Sequence, residues 1–247
     1  MISYPKITVI TVCLNEVNSI EETINTVVTQ SYQNTEYVVI DGGSTDGTLQ
    51  KIEKYVSSID IIEHQKGKGI YNAMNQGIAL SNGDYLYFLN AGDRLYSKDT
   101  LSHIAGMISQ DNGLDIVFGD YLKITDSGEE LVTDSTEISM DRLKDGMICH
   151  QAMFSNRKMF ERNGGFDESL SIVADYDWLA RNIVKGKLRT KYVQRPIVKW
   201  DSSGVSSTSD YRIQQFLAMK RYFGIFYSLE KVFYPNVARK LRALWRL

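Results

Sequence analysis

Three short stretches put acids and amides where chemistry could be done. "CLNE" ends in Asn15 and Glu16, "VVIDGG" carries Asp41, and "YLYFLNAGD" ends in Asn90 and Asp93. Each tip follows an apolar run of the kind that forms a strand buried on both faces, and ligands of open α/β sheets gather beyond the carboxyl ends of such strands. Any one tip reads equally well as a turn, because Asn, Gly and Asp tolerate turn backbones and bond locally. Their occurrence at successive strand ends, with Thr11 just inside the first, favours a site. Carboxylates there can accept from N–H and O–H groups of a ligand. "DGGSTDGT" from Asp41 to Thr48 is glycine-rich. It fits neither G-x-x-x-x-G-K-[ST] nor G-x-G-x-x-G, which disfavours kinase and dinucleotide folds.

The elements that must carry these tips alternate. "KITVITVCL" reads as a strand and "SIEETINTVVTQS" as a helix with Ile20, Ile24, Val27 and Val28 on one face and a Ser19/Glu22 capping box. "YVVID" is a second strand, followed by helical "TLQKIEKYVSS" with Ser44 or Asp46 as its cap. "IDIIEH" is a short third strand, and "GIYNAMNQGIAL" a helix presenting Ile70, Met74 and Ile78. The fourth strand is "YLYFLNAGD" itself. Such β-α alternation predicts a mainly parallel central sheet with helices on both faces. Beyond Asp93 come a helix in "KDTLSHIAGMISQ", a strand in "DIVFGDYLKI" and a hairpin-like turn in "TDSGEE", so the second half loses the regular alternation.

The chain has 247 residues, 43% hydrophobic and 23% charged, with a net charge of −2, as an ordinary globular protein would. Nothing global points to nucleic acid. Cys13 and Cys149 make neither a disulfide framework nor a metal-ligand spacing, which suits a reducing compartment. "ITVITVCL" is too short for a membrane span and lacks a cleavage site, so a cytoplasmic protein is expected. From Tyr211 to Leu247 there are eight Lys/Arg and one acid, mixed with Phe, Tyr, Leu and Trp. That composition suits either an amphipathic helix pair at an anionic membrane surface or a helix packed on the catalytic domain or an oligomer contact. Pro235 should interrupt it. The expected partition is a catalytic domain over 1–210, with a nucleotide-binding half to 95 and an acceptor-side half from 96, then a basic helical extension over 211–247.

"ITVITVCLNEVNSIEETINTVVTQSYQNTEYVVIDGGSTDGT", "GIYNAMNQGIALSNGDYLYFLNAGD" and "GGFDESLSIVADYDWLAR", in that order, resemble the family 2 glycosyltransferases of bacterial polysaccharide synthesis. The resemblance implies the GT-A fold and transfer of a hexosyl or N-acetylhexosaminyl group, with inversion, from a nucleoside-diphosphate sugar, UDP first, to a saccharide or lipid-linked saccharide. It implies that Thr11 and Asp41 meet the base, that Asn15 and Glu16 lie beside base and ribose, and that Lys68 and Asn72 face the same pocket, although an aspartate is common where this chain has Asn72. "NAGD" resembles the family's D-x-D region, with Asn90 and Gly92 in place of acids, leaving Asp93 to hold Mn²⁺ or Mg²⁺. "VADYDWLAR" resembles the family's E-D-Y-D segment, which makes Asp175 the base, with Asp177 as competitor and Ala174 where glutamate is frequent. His150 of "CHQAMF" and Trp178 are candidates for the acceptor side, each equally readable as core.

A sugar nucleotidyltransferase is the competing enzyme, but it needs a glycine-rich loop after the first strand and "CLNEVNS" has no glycine. A non-catalytic nucleotide-sugar-binding relative is the reading from another class, kept open by the missing acids around Asp93.

Overall fold

The computed structural model describes residues 4–125, 127–133, 135–202 and 212–233. The strands are β1 (Ile7–Cys13), β2 (Thr35–Asp41), β3 (Ile61–His64), β4 (Tyr85–Phe88), β5 (Arg94–Leu95), β6 (Ile116–Thr125), β7 (Gly128–Val132), β8 (Met153–Asn156) and β9 (Thr190–Asp201). The helices are α1 (Ile20–Val28), α2 (Thr48–Glu53), α3 (Ile70–Leu80), α4 (Thr100–Gln110), α5 (Met140–Leu143), α6 (Arg157–Asn163), α7 (Ala174–Lys185), α8 (Arg212–Phe223) and α9 (Ile225–Phe233).

Across the sheet the order is β3-β2-β1-β4-β8-β6-β9-β5, with β7 paired to β6 beside this path. β1 pairs parallel with β2 and β4, and β2 with β3, so the first half has the expected parallel form. The second half is mixed. β8 runs antiparallel to β4 and β6, β7 antiparallel to β6, and β9 parallel to β6 but antiparallel to β5. The result is an α/β fold whose sheet curls until β5, only a few residues after β4 in sequence, lies at the far end of the path.

Side chains alternate across the strands, as a period of two requires. Ile10, Val12, Val38, Ile40, Leu86 and Phe88 enter one apolar layer with α3, α6, α7 and the tail helices. Ile7, Val9, Tyr37, Val39, Tyr85 and Tyr87 enter the other, with α1, α2 and α4. α3 buries part of the face expected of it, Met74 fully and Ile78 in part, but not Ile70. Tyr71, Ala73, Met74 and Gly77 turn inward while Ile70 stays 37% exposed. Gly77 explains this, because a Cβ there would lie 2.5 Å from Cγ2 of Ile10. The helix backbone approaches β1 along that glycine, which sets the rotation of the whole helix. The Ser19/Glu22 capping box also fails to form. Ser19 Oγ donates instead to the Glu16 carboxylate, and Glu22 pairs with Arg94 at 2.7 Å.

The described part of the extension packs on the core. Ala218, Met219 and Val232 are buried, and Phe216, Tyr222, Phe223 and Tyr227 lean on the same apolar layer. Lys231 pairs with Asp145 at 3.1 Å. Pro235, the rest of 234–247, Tyr211 and the expected boundary at 210 lie outside the described residues. No described helix is long and apolar enough to cross a membrane.

Candidate active site

Two loops after β1 and β2 are laced into one cradle. Asn15 N–H donates to Ser44 Oγ at 2.9 Å, and Thr45 N–H returns a bond to Asn15 Oδ1 at 2.9 Å. Glu16 N–H reaches Thr48 Oγ1 at 2.8 Å and Val17 N–H reaches Asp46 Oδ2 at 3.0 Å. Asn15 takes a positive φ of 57°, a conformation asparagine tolerates better than most residues. Asp41, at the end of β2, is fully buried, and its Oδ2 accepts from Gly43 and Ser44 N–H at 2.9 and 3.0 Å. Its Oδ1 has the Cys13 thiol at 3.8 Å, a weak donor. Beside this cradle the loop carrying Lys68 runs into α3, and Lys68 is exposed. Asn72 Oδ1 accepts from Gly67 N–H at 3.0 Å and Gln65 Nε2 at 3.1 Å, while its Nδ2 donates to Glu168 at 2.9 Å.

The tip after β4 is a turn closed by Asp93 N–H on Asn90 O at 3.0 Å. Gly92 has φ +99°, so an acid at that position would sit in the left-handed region; here the turn itself selects glycine. Thr23 of α1 holds the turn from below, accepting from Gly92 N–H at 3.1 Å and donating to Asp93 O at 2.8 Å. Asp93 is 4% exposed, and its Oδ1 accepts from Asp201 N–H at 2.9 Å. Burial pushes its carboxyl up to about 7 and the charge of Asp201 adds to this; the Asp201 N–H, His150 and a Gln151 hydrogen bond pull the other way. A side chain on Gly92 would come within 3.8 Å of Asp201 Oδ2, so that second carboxylate borders the same tip. Asn90 Oδ1 is buried with no partner.

These oxygens suit a hard divalent cation: two carboxylates, an amide oxygen lacking a donor, and a buried acid that resists ionising without a positive neighbour. Among the described residues no three His, Cys, Asp or Glu side chains converge on one point. Oxygens of a bound diphosphate would have to complete such a shell.

Asp175, in the first turn of α7, faces the other side of the site. His150 Nδ1 lies 2.9 Å from its Oδ2. Its Oδ1 takes the Tyr71 hydroxyl at 3.0 Å and the Tyr176 N–H at 2.9 Å. Burial alone would raise this carboxyl, but the hydrogen bond and charge of His150, the Tyr176 N–H and the Tyr71 hydroxyl together hold it below the usual range. The one Tyr71 hydroxyl proton is shared between Asp175 Oδ1 and Ile172 O, which ties α3 to the loop that enters α7.

Asp177, two residues on, is occupied differently. It is 2% exposed, and its Oδ1 binds Arg221 Nη1 at 2.8 Å and the Tyr222 hydroxyl at 2.9 Å, both from α8. Arg181 Nε lies 3.6 Å from Oδ2. This acid anchors the tail.

Two expected contacts are corrected. Thr11 sits two residues inside the end of β1, on the α1 side of the sheet, fully buried, with its hydroxyl 3.1 Å from that of Tyr37. It has no surface to offer a nucleotide. Trp178 is 2% exposed and stacks on Phe160 with centroids 4.4 Å apart, a core side chain without a face for a sugar. Sequence reasoning missed Thr23, Gln151 and Asp201. Only Gln151, beside His150 in "CHQAMF", stood next to a flagged residue.

The sequence model of Glycosyl transferase family 2 matches residues 8–178. A PGL/p-HBAD biosynthesis glycosyltransferase of Mycobacterium bovis is 30% identical over 209 residues, which are 83% of this chain and 80% of that protein. Among solved structures, S. aureus TarS 1-349 in complex with UDP-GlcNAc superposes with a TM-score of 0.75 at 20% identity, covering 92% of this chain and 67% of that one. Against a longer TarS chain the match spans 39% of the neighbour's length. Mannosyltransferase PcManGT from Pyrobaculum calidifontis, in complex with GDP-Man and Mn2+, gives a TM-score of 0.60 at 19% identity, covering 89% of this chain and 62% of that one.

Proposed function

The chain belongs to glycosyl transferase family 2, and from that premise we propose that it moves a hexosyl or N-acetylhexosaminyl group from a UDP-sugar to a saccharide acceptor, with inversion. The observation that carries this reading is the pairing of two unlike acids across one site. Asp93, buried beside Asp201 with its carboxyl pushed up to about 7, suits a cation; Asp175, kept ionised against His150, suits a negative charge beside the acceptor hydroxyl. Environments that push two carboxyls apart mark different chemical roles.

The laced cradle of Asn15 and Glu16 would receive the nucleoside, with buried Asp41 holding the Gly43 and Ser44 backbone of its floor from beneath. Lys68 would reach the diphosphate from the loop that Asn72 fixes. Asp93 and Asp201 would hold Mn²⁺ or Mg²⁺, which supplies neutralisation of the charge developing on the leaving diphosphate. Asp175 supplies the negative charge that draws the proton from the acceptor hydroxyl. That oxygen then displaces the diphosphate in one step from the opposite face, which inverts the anomeric centre.

For the acceptor, a lipid-linked saccharide in surface polysaccharide synthesis fits the tail. α8 and α9 expose Ile213, Leu217, Ile225 and Phe233 beside basic Lys220, a mixture suited to peripheral contact with an anionic inner-membrane face.

The test is nucleoside diphosphate release from a panel of nucleotide sugars with Mn²⁺, with and without EDTA. Release from a UDP-sugar that stops in EDTA is expected. Full turnover in EDTA removes the cation from the reading, an α-linked product from an α-linked donor removes inversion, and silence across the panel removes transfer itself.

A further inference from the structure

Asp175 as the base leaves open which atom receives the proton. Its oxygens already hold three hydrogen bonds, from the Tyr71 hydroxyl, the Tyr176 N–H and His150. A carboxylate only accepts, so His150 Nδ1 is the donor in its pair with Oδ2, and a neutral ring then carries its lone pair on Nε2. Turning the ring over would put carbon against the carboxylate and lose that bond. Nε2 is buried and has no partner. The His150 side chain as a whole is 21% exposed, so part of the ring reaches the surface beside Asp175 while Nε2 lies beneath it with no donor. Buried acceptors are nearly always paired, and an unpaired one calls for an explanation.

We propose that His150 Nε2 takes the proton of the attacking hydroxyl, with Asp175 acting through the ring as a positioning residue. The proposal rests on the glycosyl-transfer reading above and deepens it. The hydroxyl O–H bond breaks and its proton passes to Nε2. The freed electron pair on oxygen forms the bond to the anomeric carbon. The bond from that carbon to the diphosphate oxygen breaks, and its pair leaves with the diphosphate. The imidazolium, ion-paired to Asp175, afterwards returns its proton to water. A base backed by a buried carboxylate that fixes tautomer and orientation is a general arrangement in acyl transfer, and its logic carries over to any hydroxyl nucleophile. Asp175, whose Oδ2 accepts from Nδ1 at 2.9 Å, is placed to steady the imidazolium that forms. The other charges that bear on the site are Asp93 and Asp201 at the tip after β4. Tyr71 reaches the ring through Asp175, and Gln151 follows it in the same turn.

Four variants test this, read by turnover of the best UDP-sugar with Mn²⁺ and, separately, by calorimetric binding of UDP with Mn²⁺. His150→Asn keeps an N–H donor near the Nδ1 position but has no basic atom. It should lose about 10²- to 10⁴-fold in kcat, the contribution of a positioned base, with UDP affinity unchanged. Free imidazole should restore part of the activity of His150→Ala and none to Asp175→Asn. The double variant His150→Asn/Asp175→Asn should be no slower than its slower parent, because groups that act as a unit are not additive. A His150→Asn enzyme at the wild-type rate would show that the ring only orients Asp175, and multiplicative losses would show two independent roles; either overturns the proposal. If wild-type protein binds UDP yet releases diphosphate from no donor, the transfer reading itself has failed, a result distinct from both.

Discussion

At the scale of single residues, Asp93, Asp175, Asp177 and Asp201 are separated by what surrounds them. Asp93 is raised by burial, so the folded state without a cation prefers it protonated. The stability this gives is fully present below the unfolded value of 3.8 and is lost as pH rises through about 7. Thermal melts without metal should therefore fall between about pH 4 and 7 and level off above, Asp93→Asn should flatten that fall, and Mn²⁺ should raise the wild-type midpoint more at pH 8 than at pH 6. An unchanged slope in Asp93→Asn would count against the burial argument. Asp175 and Asp177 looked alike in sequence, two acids in one helical turn, and nothing there could say that one faces the site and the other faces Arg221. Asp177→Asn should keep most of kcat while losing roughly 2 kcal/mol of stability, the worth of a charged hydrogen bond, and Asp175→Asn should do the reverse. Activity assays beside urea melts separate them. Asp93 was legible because a polar tip on an apolar strand is a local signal. Asp201 was not, because it meets Asp93 across 108 residues of sequence through a strand pairing that no periodicity announces.

At the scale of elements, α3 acts as a strut between the two halves of the site. Asn72 fixes the loop before it, Tyr71 touches Asp175, and Asn75 Nδ2 donates to Glu168 at 2.8 Å and Phe166 O at 2.9 Å in the loop that leads to α7. Its seat on β1 depends on Gly77. Gly77→Ala should cost about 1–3 kcal/mol, since an added methyl must displace either Ile10 or the helix. A loss of activity larger than the unfolded fraction explains would show that the shift reaches Asp175; a melt unchanged from wild type would refute the close contact. The alternation of strands and helices through β4 was readable from hydrophobic period alone. The mixed second half was not, because β6, β8 and β9 are paired by tertiary contacts rather than by a repeating β-α unit. Errors of face have the same origin. Thr11 was placed at a strand end that lies two residues further on, and Trp178 was placed on an open face of a helix whose first half is buried almost all round.

At the scale of the whole molecule, the tail is part of the catalytic body as far as it is described. Burying Met219 and Val232 alone is worth roughly 3 kcal/mol or more, and Asp177 of α7 is tied to α8 through Arg221 and Tyr222. A chain ending near Ser209 should therefore melt well below the full chain, whereas one ending at Phe233 should fold. The membrane reading is tested with the second truncation and the exposed apolar side chains. Full-length protein should sediment with anionic vesicles at low salt and less at high salt, and Ile213→Ser/Leu217→Ser should weaken this without altering turnover of a soluble donor. Equal sedimentation by wild type and variant, or none by either, would leave the tail as a packing element. The strand that brings Asp201 to Asp93 has a consequence for the birth of the enzyme. β9 is the last strand among the described residues, it crosses from β6 to β5, and the acid pair exists only when it has done so. A ribosome must release the chain through Asp201 before the two carboxylates can meet.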